Sequence, residues 1–96
     1  MADEKVRQIC IITVTGDDKV GIVARLATAM SKANVNIVDV NQKIMGECFV
    51  MTMAVDISGA TVNMGQIKKR LDQIGRQMVL TIMIQDANIF KAMHRI

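Results

Sequence analysis

Apolar positions change their period along this chain, and each change marks a predicted element. From Val6 to Thr15 the run Ile9-Cys10-Ile11-Ile12, with Val14, is rich in β-branched residues and apolar on both faces. That predicts a strand over Val6–Thr15, interior to a sheet and covered on both sides. Gly16-Asp17-Asp18 ends it with turn chemistry. Ile22, Val23, Leu26, Ala27, Met30 and Ala33 then fall on one helical stripe, with Arg25, Thr28, Ser31 and Lys32 opposite, so Gly21–Ala33 is predicted as a helix. Asp17 and Asp18 stand just before its start, where a carboxylate is favoured by about 0.3–1 kcal/mol. Asn34 follows as a left-handed stop.

Strict alternation returns over Val35–Met45, with Val38, Val40 and Ile44 on one face and Asp39, Asn41 and Lys43 on the other. Gly46-Glu47 suits a two-residue type II′ hairpin turn. Cys48–Ile57 alternates again through Phe49, Met51, Met53, Val55 and Ile57, and Ser58-Gly59-Ala60 is a turn. Asn63 with Gln66 three residues on is a capping-box signature. Ile67, Leu71, Ile74 and Met78 continue at helical spacing, and Gly75 marks that helix's last turn or its stop. Val79–Gln85 is a fourth strand with Leu80, Ile82 and Ile84 inward. Ile89, Phe90, Met93 and Ile96 predict a short amphipathic tail helix over Asn88–Ile96, docked on the body or on a partner. Residues 1–5 are charged and expected to be loose.

The resulting order, β-α-β-β-α-β, is the split βαβ plan, an α+β ferredoxin-like sandwich. Right-handed crossovers and the central hairpin give an antiparallel sheet of order 4-1-3-2 with both helices on one face. Strand 2 is then an edge, its backbone free to pair with another chain. Length agrees with one domain, 1–88, followed by a tail over 89–96.

Composition adjusts this picture in three ways. The chain is 51% hydrophobic but 2% aromatic, with nine methionines. Its core is therefore aliphatic and methionine-filled, and the surplus of apolar residues points to a covered surface, most simply a second copy. The net charge of +3 is scattered. Its densest run, Lys68-Lys69-Arg70, reads as a solvated helix face. Without stacking aromatics or a recognisable module, no nucleic acid is expected as a partner. Neither a leader-like apolar segment nor a run near 18 residues occurs, so no membrane partner and a cytoplasmic location are expected. Cys10 and Cys48 lie in separate strands and read as buried reduced thiols; a disulfide between them requires those strands to be neighbours. Two cysteines and His94 make no zinc set, and His94 reads as a surface or packing residue. No metal and no cofactor are expected.

Thr13-Val14-Thr15-Gly16-Asp17-Asp18-Lys19-Val20-Gly21-Ile22-Val23, then Leu26 and Ala33-Asn34-Val35-Asn36-Ile37, resemble the ACT domain, a small regulatory ligand-binding module. The family pattern is an apolar strand, a loop ending in Pro-Gly-Val or a relative, a helix, then Gly-Val-Asn-Ile or similar. Here Val20 replaces the common proline and Asn34 stands where glycine is frequent. The likeness spans residues 6–88. It implies a free amino acid or similar metabolite bound near the loop before the first helix, often at the seam of two domains. By motif position Asp18 and Asn36 match ligand-contacting side chains, and Gly21 matches the glycine of close approach. The ligand-binding set it suggests is Asp17, Asp18, Lys19, Val20, Gly21, Ile22, Asn34, Asn36 and Ile37.

The chemistry is consistent. A zwitterion's carboxylate needs donors, which the free amides at a helix start supply. Its ammonium needs acceptors, which Asp17 or Asp18 and the Asn36 amide oxygen supply. A ligand of about 6–10 heavy atoms binds with roughly millimolar to micromolar affinity. Plainer roles stay open: Asp17 and Asp18 as helix caps, Gly21 as a turn glycine, Asn36 as a backbone partner, Asp39 and Asn41 as a wet or dimer-contact face. The expectation is a non-catalytic regulatory homodimer, joined through the strand 2 edge or the helices, that signals to a partner protein. The alternative is a ligand-free dimerisation or interaction domain. An enzyme is disfavoured because no nucleophile–base pair can be assembled.

Overall fold

The computed structural model describes residues 7–89. The order is β1 (Ile9–Asp17), α1 (Ile22–Lys32), β2 (Asn36–Met45), β3 (Cys48–Asp56), α2 (Met64–Met78) and β4 (Leu80–Asp86). The four strands form one antiparallel sheet, β2-β3-β1-β4, which is the order the sequence predicts. Residues 87–89 are helical. The rest of the expected tail and the charged residues 1–5 lie outside the described residues.

One sheet face packs under both helices. Cys10, Ile12 and Val14 of β1 meet Phe49, Met51, Met53 and Val55 of β3, and Ile22, Leu26, Met30, Ile67, Leu71 and Ile74 close over them. No polar side chain is buried among the described residues. The expected cover on both faces of β1 is not provided by the described chain. Ile9, Ile11 and Thr13 are only half-buried, because both helices occupy the other face.

α2 starts with the predicted capping box: the Gln66 amide donates to Asn63 Oδ1 at 2.9 Å, and the Asn63 amide donates to Gln66 Oε1 at 3.0 Å. Of the two expectations for Gly75, the last turn holds and the stop does not. The helix continues to Met78, and Gly75 is buried where α2 crosses close to β4. A Cβ there would meet the Leu80 carbonyl oxygen at 2.9 Å. The left-handed stop falls instead on Val79, with φ +54° and ψ +53°. α1 ends as predicted, on a left-handed Asn34 at φ +56°. In the hairpin Gly46 has φ +66° and Glu47 a negative φ, the sign pattern of the expected II′ turn.

β2 carries a bulge between Ile37 and Asp39 that skips Val38. Beyond it, Val40 and Ile44 face the helix side, opposite Met53 and Phe49, yet lie past the reach of both helices and remain exposed. Val38 thus leaves the regular alternation that the sequence predicts for it. The cysteines are both free. Cys10 is buried and Cys48, contrary to expectation, is exposed. Their strands are neighbours, but Cys10 pairs with Val55 and Cys48 with Asp17. About seven residues of register, roughly 23 Å, separate them.

Candidate functional site

β1 runs two residues further than predicted, to Asp17, because Asp17 pairs with Cys48 at the hairpin end of β3. The next amide, Asp18 N–H, donates to the Glu47 carbonyl at 3.0 Å. The loop therefore rests on the β2–β3 hairpin, and Asp17, Asp18, Gly46 and Glu47 line a shallow acidic cleft. Lys19 turns the other way: its ammonium donates to the Met78 carbonyl at the end of α2. A cation there satisfies a terminal carbonyl and opposes the negative end of the helix dipole. Val20 is fully exposed at the tip.

Gly21 is the N-cap of α1 at φ +92°, ψ +2°. L-residues avoid this conformation, so the glycine serves the backbone. Nothing lies within 4 Å of where a Cβ would be, so the backbone is open to solvent. The Gly21 carbonyl takes the first helical hydrogen bond, from Arg25 N–H at 2.9 Å. No side chain caps the helix, and no acid occupies its first turn. The capping role expected of Asp17 and Asp18 is therefore not taken up. Both carboxylates are exposed, and among the described residues no side chain is hydrogen-bonded to the amides of Ile22, Val23 and Ala24.

Asn34, Asn36 and Ile37 lie elsewhere. They line a second depression with Ala27, Ser31, Asp56 and Ser58 at the far end of α1. Eleven helical residues separate it from Gly21, a rise of about 16 Å. One chain thus does not join the loop to the strand start as a single niche. The Asn34 side chain donates to the Gly59 carbonyl at 2.8 Å, pinning the loop after β3. Asn36 is exposed on the sheet edge. Beside it Asp56 accepts from Ser58 N–H at 3.0 Å and Gln8 N–H at 3.3 Å. The bonds from Ser58, above all, hold its carboxyl below the ordinary 3.8.

Sequence reasoning missed Lys19 as a tether, Glu47 as the loop's support and Asp56 as the partner of Ser58. Glu47 was within reach of it. A strand order of 4-1-3-2 already places the hairpin turn beside the end of β1.

Sandwich topology, with both helices on one face of the sheet, defines a class: a small ferredoxin-like α+β domain. The ACT domain model matches residues 8–85, and the chain belongs to the ACT domain family. A UPF0237 protein of Methanocaldococcus jannaschii is 41% identical over 86 residues, 90% of this chain and 96% of the relative. Another from Clostridium acetobutylicum is 42% identical, covering 90% and 97%. An ACT domain protein from Streptococcus pneumoniae superposes with a TM-score of 0.74 at 33% identity, over 91% of this chain and 98% of that one. The regulatory subunit of aspartate kinase from Thermus thermophilus shares the fold, with a TM-score of 0.65 at 15% identity, over 81% and 50%. The ACT domain is a regulatory ligand-binding fold. Among the described residues no helix is long and apolar enough to cross a membrane.

Proposed function

We propose that this ACT domain is a cytoplasmic homodimer that binds a free amino acid, or a metabolite of the same charge pattern, where two copies meet. The state of that pair is then passed to a partner protein. One observation carries the reading: in a single chain the two halves of the predicted site stand at opposite ends of α1. β2 is an edge strand, and it runs parallel to β1 because both pair antiparallel with β3. Two copies joined antiparallel through β2 about a two-fold axis would set the Asn36 end of one beside the loop end of the other. Val40, Ile44 and Met45, exposed along that edge, would be covered.

Each group then has a role. The amides of Ile22 and Val23 take the ligand carboxylate at the positive end of α1. Asp18, with Asp17 behind it, takes the ammonium together with the partner copy's Asn36 amide oxygen. Gly21 lets the ligand reach the backbone, Val20 covers it, and Ile37 offers an apolar wall. Lys19 and Asn34 are positioning residues, since Met78 and Gly59 already hold their side chains.

The test is a titration with the twenty amino acids, read by NMR at residues 16–22 and 34–41. Asp18→Ala and Asn36→Ala should each abolish binding. Mixing the two variants should restore it at roughly one site in four, because half of the dimers then contain one intact composite site. Loss in both variants without recovery on mixing would refute a shared site. A stable dimer silent to the whole panel would leave an interaction domain only.

A further inference from the structure

Charge that looks scattered in the sequence is sorted in space. The two helices carry Arg25, Lys32, Lys68, Lys69, Arg70 and Arg76 against one acid, Asp72. The described strands and loops carry Asp17, Asp18, Asp39, Glu47, Asp56 and Asp86 against Arg7, Lys19 and Lys43. The helical layer is thus strongly positive and the remainder negative. Between the helices runs an open valley of about 630 Å³. Gly21, Ala24, Thr28 and Ala29 make its α1 side, Ile74 its apolar anchor, and Arg25, Lys32 and Arg70 its rims. No acid lines it. Arg25 is aimed by the Gln77 side-chain oxygen, which accepts from its guanidinium.

From this geometry we infer that the interhelical valley is a docking groove for an acidic amphipathic helix of a partner protein. The valley follows α1 along about 16 Å of rise and is open on one side. A small metabolite would leave much of its surface wet there, whereas ligand pockets bury most of theirs. A helix laid along it fits the small residues, which permit close approach, and Ile74, which receives an apolar ridge. Flanking carboxylates then reach Arg25, Lys32 and Arg70 with bidentate or point-charge geometry. A second copy docked here about a two-fold axis would set these cations against their own equivalents. The helices bring no aromatic residue for base stacking, which favours a protein over a single-stranded nucleic acid. The inference supplies the chemistry of the partner in the reading above and rests on that reading. The groove shares Gly21 alone with the ligand set.

The test uses the full chain as bait for a displayed library of helical peptides with randomised faces. Enriched sequences should carry Asp and Glu around a small or apolar ridge, and a selected peptide should shift amides over residues 24–32 and 70–77. Combining Arg25→Ala, Lys32→Ala and Arg70→Ala should weaken it about tenfold or more, while Lys43→Ala changes nothing. If the triple variant melts early, exposed Lys32→Glu alone carries the comparison. The proposal is overturned by no enrichment, by enrichment without acids, by shifts on the sheet, or by binding that survives these substitutions. Tighter binding of a 20-bp DNA duplex through the same residues also overturns it, as does self-association in sedimentation that the triple variant abolishes. The triple variant retains Asp18 and Asn36, so its amino-acid response is read separately and either proposal can fail alone.

Discussion

Val79 holds φ +54° in a left-handed conformation, where a β-branched residue is strained by about 1–2 kcal/mol. It is 77% exposed, so its side chain contributes little burial. Val79→Asn keeps the turn with a residue that tolerates this region, as Asn34 does at the end of α1. It should stabilise the domain by about 1 kcal/mol, raising Tm by roughly 4–8 °C. Removing the Lys19 ammonium as Lys19→Met should cost about 1 kcal/mol, the worth of one helix-end carbonyl partner. Thermal melts read both. Burial pushes the Cys10 thiol up, with the Asp86 charge adding to it. A disulfide reagent at pH 8 should therefore find Cys48 at once and Cys10 only on unfolding. Asp56, held below 3.8 by its hydrogen bonds, contributes stability in full above the ordinary carboxylate range. That contribution fades as pH falls through its folded midpoint. An NMR titration of its carboxyl should therefore show a midpoint lower than 3.8.

Among the elements, β2 is the least supported. All of it except Ile37 is exposed, and it touches the sheet on one side only. A charge at Ile44 or Val40 disturbs little within the chain but blocks edge pairing. Ile44→Lys should yield a monomer by sedimentation while its stability stays within about 0.5 kcal/mol of the parent at matched dissociation. α2 behaves oppositely. Gly75→Ala improves helix propensity by about 1 kcal/mol, but its Cβ would press on the Leu80 carbonyl oxygen at 2.9 Å. Overpacking of that kind costs about 1–3 kcal/mol, so the variant should melt lower. The periodicity of Gly75 could not distinguish a stop from a crossing, since glycine serves both. The same ambiguity misplaced the left-handed turn, which fell on a residue chosen against by propensity.

In the whole molecule, element order and strand order were legible because each apolar stripe has a distinct period and the hairpin admits one crossover solution. The candidate site was legible as residues but not as a place. Asp18 and Asn36 are eighteen positions apart in a motif that reads as continuous, and the eleven-residue length of α1 is what separates them. Charge sorting was illegible for a similar reason. Lys68-Lys69-Arg70 looks like any solvated run until packing turns Arg70 toward Arg25 and Lys32 across the valley. One further consequence follows from the last turn of α2. Gln77 steadies Arg25 on the valley side, and its neighbour Met78 moors Lys19 on the loop side. A single knuckle of backbone thus serves two quays. Whatever shifts the berth at one changes the holding at the other, and thermodynamics makes that influence equal in both directions. A peptide titration with and without saturating amino acid should reveal matched factors, and identical curves would show the two moorings to be independent.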